Sequence, residues 1–177
     1  LTLNTRCFEA GLETFTELID ELTEGREQYQ QQDLSQRNVF GRNDRPLLAC
    51  ALNFHHNSAD LAALVRALDF GRYANPLGSA KIAHGDQLAV VTRAEIVEQL
   101  IGKRCGEILR IDDERLRVAT HDGAIDLLEF ADLNGHPLTL SQVVTRLEIE
   151  SGHVLNEFSS SQARQLSELN ARVARHE

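Results

Sequence analysis

The chain has 177 residues, 42% apolar and 25% charged, the proportions of a soluble globular protein with room for one ordinary domain or two small ones. Its net charge of -9 is spread along the sequence rather than gathered in a tail. Binding to phosphates needs clustered Lys and Arg that release counterions, so direct nucleic-acid binding is not expected.

From Arg6 to Glu24 the residues Phe8, Leu12, Phe15, Leu18, Ile19 and Leu22 recur at helical spacing, with Glu9, Glu13, Glu17, Asp20 and Glu21 largely on other faces. This pattern predicts an amphipathic helix that stops near Gly25. Arg26 to Pro46 is polar and reads as an extended loop, and a loop of that length is expected to lie over another surface. Leu47 to Leu52 reads as a short apolar strand. Asn57 or Ser58 then caps a helix whose Leu61, Leu64, Val65 and Leu68 form one stripe, ending near Phe70-Gly71.

Beyond an Asn75-Pro76-Leu77-Gly78 turn the period changes to two or to short apolar runs, at Ala80–Ala83, Gln87–Arg93, Glu107–Ile111, Arg115–Thr120 and Ile125–Phe130. His84-Gly85-Asp86, Asp112-Asp113-Glu114 and His121-Asp122-Gly123 punctuate them as turns. Five short strands with tight turns predict a small barrel. Leu140 to Ile149 carries Val143, Val144 and Leu147 at helical spacing, and Gly152-His153-Val154-Leu155 closes the unit. After a Ser-rich joint at Ser159–Ser161, the tail from Gln162 to Glu177 sets Leu166, Leu169 and Val173 on one face, as a linker helix would.

Three motifs stand in a telling order: Leu52-Asn53-Phe54, Leu64-Val65-Arg66-Ala67 and Asn75-Pro76-Leu77-Gly78. That order resembles the linker of folate-dependent formyltransferases, where an apolar "I-x-W" strand, a helix ending in "V-R-A" and a Pro/Gly turn join the catalytic domain to a small β-barrel. Gly106-Glu107-Ile108-Leu109, Val118 to Leu128 with its Thr120-His121-Asp122-Gly123 hairpin, and Gly152 to Leu155 resemble that barrel. Asp33 to Pro46 resembles the loop found in formyltransferase domains embedded in nonribosomal peptide synthetases.

The fold the resemblance implies is α+β: N-terminal helix, long loop and linker helix, then an OB-like barrel of the formyltransferase C-terminal type and a C-terminal helix. The implied division is 1–75 as the end of a catalytic domain plus linker, 76–158 as the barrel, and 159–177 as a helix leading to a following domain. The implied parent activity is formyl transfer from 10-formyltetrahydrofolate to an amine. The family's catalytic Asn, His of an H-x-S-x-L-P loop and Asp have no counterpart here, since His55-His56-Asn57-Ser58 lacks the Leu-Pro and lies in the linker. No catalytic, cofactor-binding or metal residue is therefore assigned, and the chain alone is expected to be inactive. Acidic residues outnumber basic ones from Arg104 to Glu157, which disfavours a tRNA acceptor and favours an amine on a carrier protein. The expected partners are an upstream catalytic domain and neighbouring synthetase domains or a carrier protein.

Other candidate chemistry reads more simply as structure. Adjacent His55 and His56 would point to opposite faces of a strand and chelate a metal poorly. His121 and Asp122 occupy a hairpin place where Asp-Gly supplies turn conformations. Cys7, Cys50 and Cys105 have no ligand spacing and fit reduced, buried thiols. No apolar run approaches the roughly 18 residues of a membrane span, and no basic segment precedes an apolar one as in a signal peptide. A cytoplasmic chain with no membrane partner is expected. With no Met in it, the chain is expected to be a piece of a longer protein. Two other functions compete: a purely structural or interaction module in a synthetase without formylation, and an oligonucleotide-binding barrel. The second calls for aromatic platforms and a basic groove, which the barrel half lacks.

Overall fold

Helical spacing at the start of the chain is realised as α1, Thr2–Glu24, in a computed structural model that describes residues 2–39, 41, 44, 46–71, 75, 77–97, 103–155, 165 and 168. Gly25 ends the helix at φ 63°, a left-handed conformation open to glycine without steric cost. The Gly25 and Arg26 amides donate back to Leu22 and Glu21, forming a Schellman cap that satisfies carbonyls the last turn would otherwise leave orphaned. Phe8, Leu12 and Phe15 on this helix are 68%, 57% and 62% exposed. Residues 1–40 form one unit and residues 41–177 a second.

In the second unit, α2 (Ser58–Leu68) turns Leu61, Ala62, Val65 and Leu68 inward. It packs chiefly against β2 of an antiparallel sheet. The strands are β1 (Lys81–His84), β2 (Gln87–Val97), β3 (Ile108–Ile111), β4 (Leu116–Ala119), β5 (Ala124–Ala131) and β6 (Pro137–Leu138), in the order β1-β2-β5-β4-β3 with β6 beside β5. The two-residue β6 was too short to show a period in the sequence. β5 is central: Ile125 pairs with Val118 and Ile96, and Leu127 with Leu116 and Ala94. Ile125, Leu127, Leu116 and Val118 are fully buried. Each such side chain contributes about 1.5–3 kcal/mol through removal from water.

The sheet curls, and α3 (Leu140–Leu147) closes one end with Val143 and Leu147 inward. Thr139 and Gln142 form a reciprocal capping box at its start. Gly152 to Leu155 then runs along the free edge of β3: the Ile108 amide donates to His153 (2.8 Å), and the Gly152 amide to Ile108 (2.8 Å). The His153 ring stacks on His84 at the end of β1, with centroids 5.4 Å apart. The Gly152–Leu155 segment thus closes the unit, as its sequence suggested, and the architecture is α+β with an OB-like, barrel-type sheet. The expected tail helix lies outside the described residues except for Gln165 and Glu168, both helical.

Three local expectations are corrected. Leu47–Cys50 is not a strand but a 3-10 turn in which Leu48, Ala49 and Cys50 have φ of 56°, 51° and 67°. Only Ala51 bridges β1, parallel to Lys81. His55 and His56 lie in a turn closed by the His56 amide on the Asn53 carbonyl (3.0 Å), not on a strand, and both are exposed. None of the three cysteines forms a disulfide, but whereas Cys50 is buried, Cys105 is half-buried and Cys7 exposed.

Candidate functional site

The residues singled out in the sequence converge on the junction between the linker helix and the barrel. Asn57 holds the N-cap position of α2, yet its side chain caps nothing. The cap comes from 64 residues further on, where the Ser58 amide donates to Asp122 Oδ1 at 2.8 Å. Thr120 Oγ1 donates to the same oxygen at 3.0 Å. The His121 amide reaches the His56 carbonyl at 3.4 Å, so the hairpin tip and the linker turn are stitched together. The Ser58 amide is the chief reason, ahead of the Thr120 hydroxyl, that Asp122 is held below the usual carboxylate range. Asp122 is thus a turn residue, as expected, and also a cap for α2, which the sequence alone did not disclose.

The far end of the linker is tied down as closely. Asn75 Nδ2 donates to the last-turn carbonyl of Leu68 (3.0 Å), while Asn75 Oδ1 accepts from the Leu77 amide (2.8 Å). Cys50 Sγ donates to the Leu77 carbonyl at 3.2 Å. Gly78 has φ 109°, and a β-carbon there would meet Cys50 Sγ at 3.0 Å. The buried left-handed turn is strained, since each such L-residue costs about 1–2 kcal/mol. It is held by the Lys81 ammonium, which donates to the Ala49 carbonyl, and by the Leu52 amide on the Lys81 carbonyl (2.8 Å). Burial lowers the Lys81 pKa, partly countered by Cys50.

The remaining polar clusters are likewise committed to structure. Asp126, with its side chain 7% exposed, accepts from Arg117 Nε (2.7 Å) and Nη2 (2.8 Å) in a two-pronged pair. Arg115 Nη1 adds a third contact at 3.4 Å. The signal for this pair was a carboxylate set between the apolar pairs Ala124-Ile125 and Leu127-Leu128, flanked in the neighbouring strand by Arg117. A groove of about 540 Å³ is bordered by Asp69, Asn75, Thr92 and Asp132. Asp69 already accepts from the Gly71 amide, and Asp132 from the amides of Asn134 and His136. Those bonds, first the His136 amide, bring the Asp132 pKa down to about 2. Among the described residues no three His, Cys, Asp or Glu side chains are grouped to hold a metal. No helix among them is long and apolar enough to cross a membrane.

This arrangement is that of an accessory barrel with its linker, and a comparison with known families agrees. The formyl transferase C-terminal domain pattern matches residues 49–148, more than half of the chain. The chain belongs to that family. The match begins within the strained turn at Ala49 and ends at Glu148, the left-handed C-cap of α3. No curated protein matches the chain.

Proposed function

We propose that this chain is the C-terminal accessory portion of a formyltransferase-like domain in a nonribosomal peptide synthetase. The parent transfers a formyl group from 10-formyltetrahydrofolate to an amine on a carrier-bound substrate. The observation that carries this reading is the junction itself. Family membership over residues 49–148 coincides with a linker helix whose start is bonded into the barrel at Ser58–Asp122 and whose inner face packs on β2. A linker so fixed sets the direction in which an upstream body meets the barrel, and holding reactants in register is itself a catalytic contribution.

The described residues do not fit the folate donor: the carboxylates bordering the groove of about 540 Å³ are turned to their own loops. No step of the transfer is assigned to this chain, which works through the upstream catalytic domain and the neighbouring synthetase domains or carrier protein. The acidic excess from Arg104 to Glu157 supports a carrier-bound amine over a tRNA acceptor.

The test compares the isolated chain with the longer natural reading frame. Each is incubated with 10-formyltetrahydrofolate and an aminoacyl carrier protein, and the product's mass is read for an added formyl group. The longer protein is expected to formylate and the isolated chain is not. Transfer by the chain alone would sink the accessory reading. A longer protein that never formylates would favour the second reading, a structural or interaction module, which the uncovered apolar face of α1 also supports.

A further inference from the structure

β2 is much longer than β1, its partner on one side. Their register runs from His84↔Gln87 to Lys81↔Val90, and the Val91 amide makes the last bond, to the Ala80 carbonyl. From Thr92 to Val97 β2 continues against β5 alone, so among the described residues its other edge has no strand beside it. An edge of this kind presents a row of backbone donors and acceptors to any strand that can approach. A groove of about 630 Å³ runs beside it, bordered by Arg66 of α2, by Asp69 just beyond that helix, and by Thr92, Glu95, Ile96 and Glu129.

The side chains along this edge select one occupant. Arg93 and Glu95 stand two residues apart on one face, in contact at 2.7 Å, and are 55% and 57% exposed. Ile96 is 46% exposed. In an antiparallel pair of two identical strands centred on Ala94, Arg93 of each copy falls opposite Glu95 of the other, giving two cross-strand ion pairs. Centring on Arg93 or on Glu95 instead sets like charges directly opposite, which is destabilising. Charges and irregular pairing usually blunt an edge. Here the register of β2 on β5 shifts on both sides of Arg93, whose Nη1 also reaches Glu129 Oε1 at 3.3 Å, and is regular from Ala94 to Val97. The signs of Arg93 and Glu95 therefore disfavour those two neighbouring registers and match the one centred on Ala94.

We propose that the Thr92–Val97 edge of β2 is a self-association surface, pairing antiparallel with a second copy of this chain about Ala94. The inference is independent of the formyl-transfer reading.

The experiment is sedimentation equilibrium on the full 177-residue chain, with circular dichroism to show that each variant is folded. R93E sets Glu against Glu and E95R sets Arg against Arg, so each is expected to weaken self-association about tenfold or more. The R93E/E95R double variant exchanges the signs and is expected to restore it. An equimolar mixture of R93E and E95R is expected to form heterodimers. The exposed face of α1 can also drive association, but it does not distinguish these variants, so the pattern across them isolates the edge. A wild-type chain that remains monomeric overturns the proposal. So do single variants that associate as the wild type does, or a mixture no tighter than its components.

Discussion

α1 and α2 are both amphipathic helices, and their apolar faces meet opposite fates. α2 has eleven residues and buries Leu61, Ala62, Val65 and Leu68 against the sheet. α1 has 23 residues and leaves Phe8, Leu12 and Phe15 more than half exposed. Periodicity marks a face as one that gains by leaving water; it does not name what will cover it. α2 is held at its start by Asp122, 64 residues along the chain, and at its end by the nearby Asn75. α1 is finished locally, by Gly25 and its Schellman bonds.

Substitutions sharpen this contrast. The largest effect is expected in the sheet under α2: Leu127→Ala removes a fully buried side chain from the central strand and costs about 2–5 kcal/mol in urea unfolding. Arg117→Met comes next, because Asp126 would lose its two-pronged partner while nearly buried. About 3 kcal/mol is expected, with part of it regained in Arg117→Met/Asp126→Leu, which removes both charges. Gly78→Ala sets a β-carbon against Cys50 Sγ at φ 109° and is expected to cost about 1–3 kcal/mol. Pairing it with Cys50→Ala relieves the clash but not the backbone strain, so recovery by calorimetry should be partial.

Asp122→Ala detaches the cap of α2 and lowers the thermal midpoint. The folded-state pKa of Asp122 lies below its ordinary 3.8. The stabilisation is therefore present above that value and is lost as pH falls through the folded pKa. The gap between wild type and D122A should be full at neutral pH and close in acid. The smallest effect belongs to α1, where Phe15→Ala is expected to change the stability of this chain by less than about 0.5 kcal/mol. A much larger loss for Phe15→Ala would mean that this face is already covered, and would dissolve the contrast with α2.

The elements written in consecutive residues were legible in the sequence. Alternation or short apolar runs marked β1 to β5, Asp122-Gly123 marked a hairpin, and stripes of apolar residues marked three helices. The ordered motifs from Leu52 to Leu155 marked the family, because order and spacing survive in one dimension. The left-handed turn at Leu48–Cys50 was not legible: its local preference is extended, and contacts from distant residues, among them the Lys81 ammonium and the Leu77 carbonyl that accepts from Cys50, offset its strain. Nor was the capping of α2 by Asp122, which joins residues 64 apart, whereas the pairing of Asp126 with Arg117 needed only the register of the β4–β5 hairpin. Sequence by itself determined which residues seek burial and which permit turns, properties of short segments and their backbone geometry. Tertiary structure decided which polar groups would satisfy one another across the fold, because a buried donor or acceptor must find its partner wherever the chain brings one within reach.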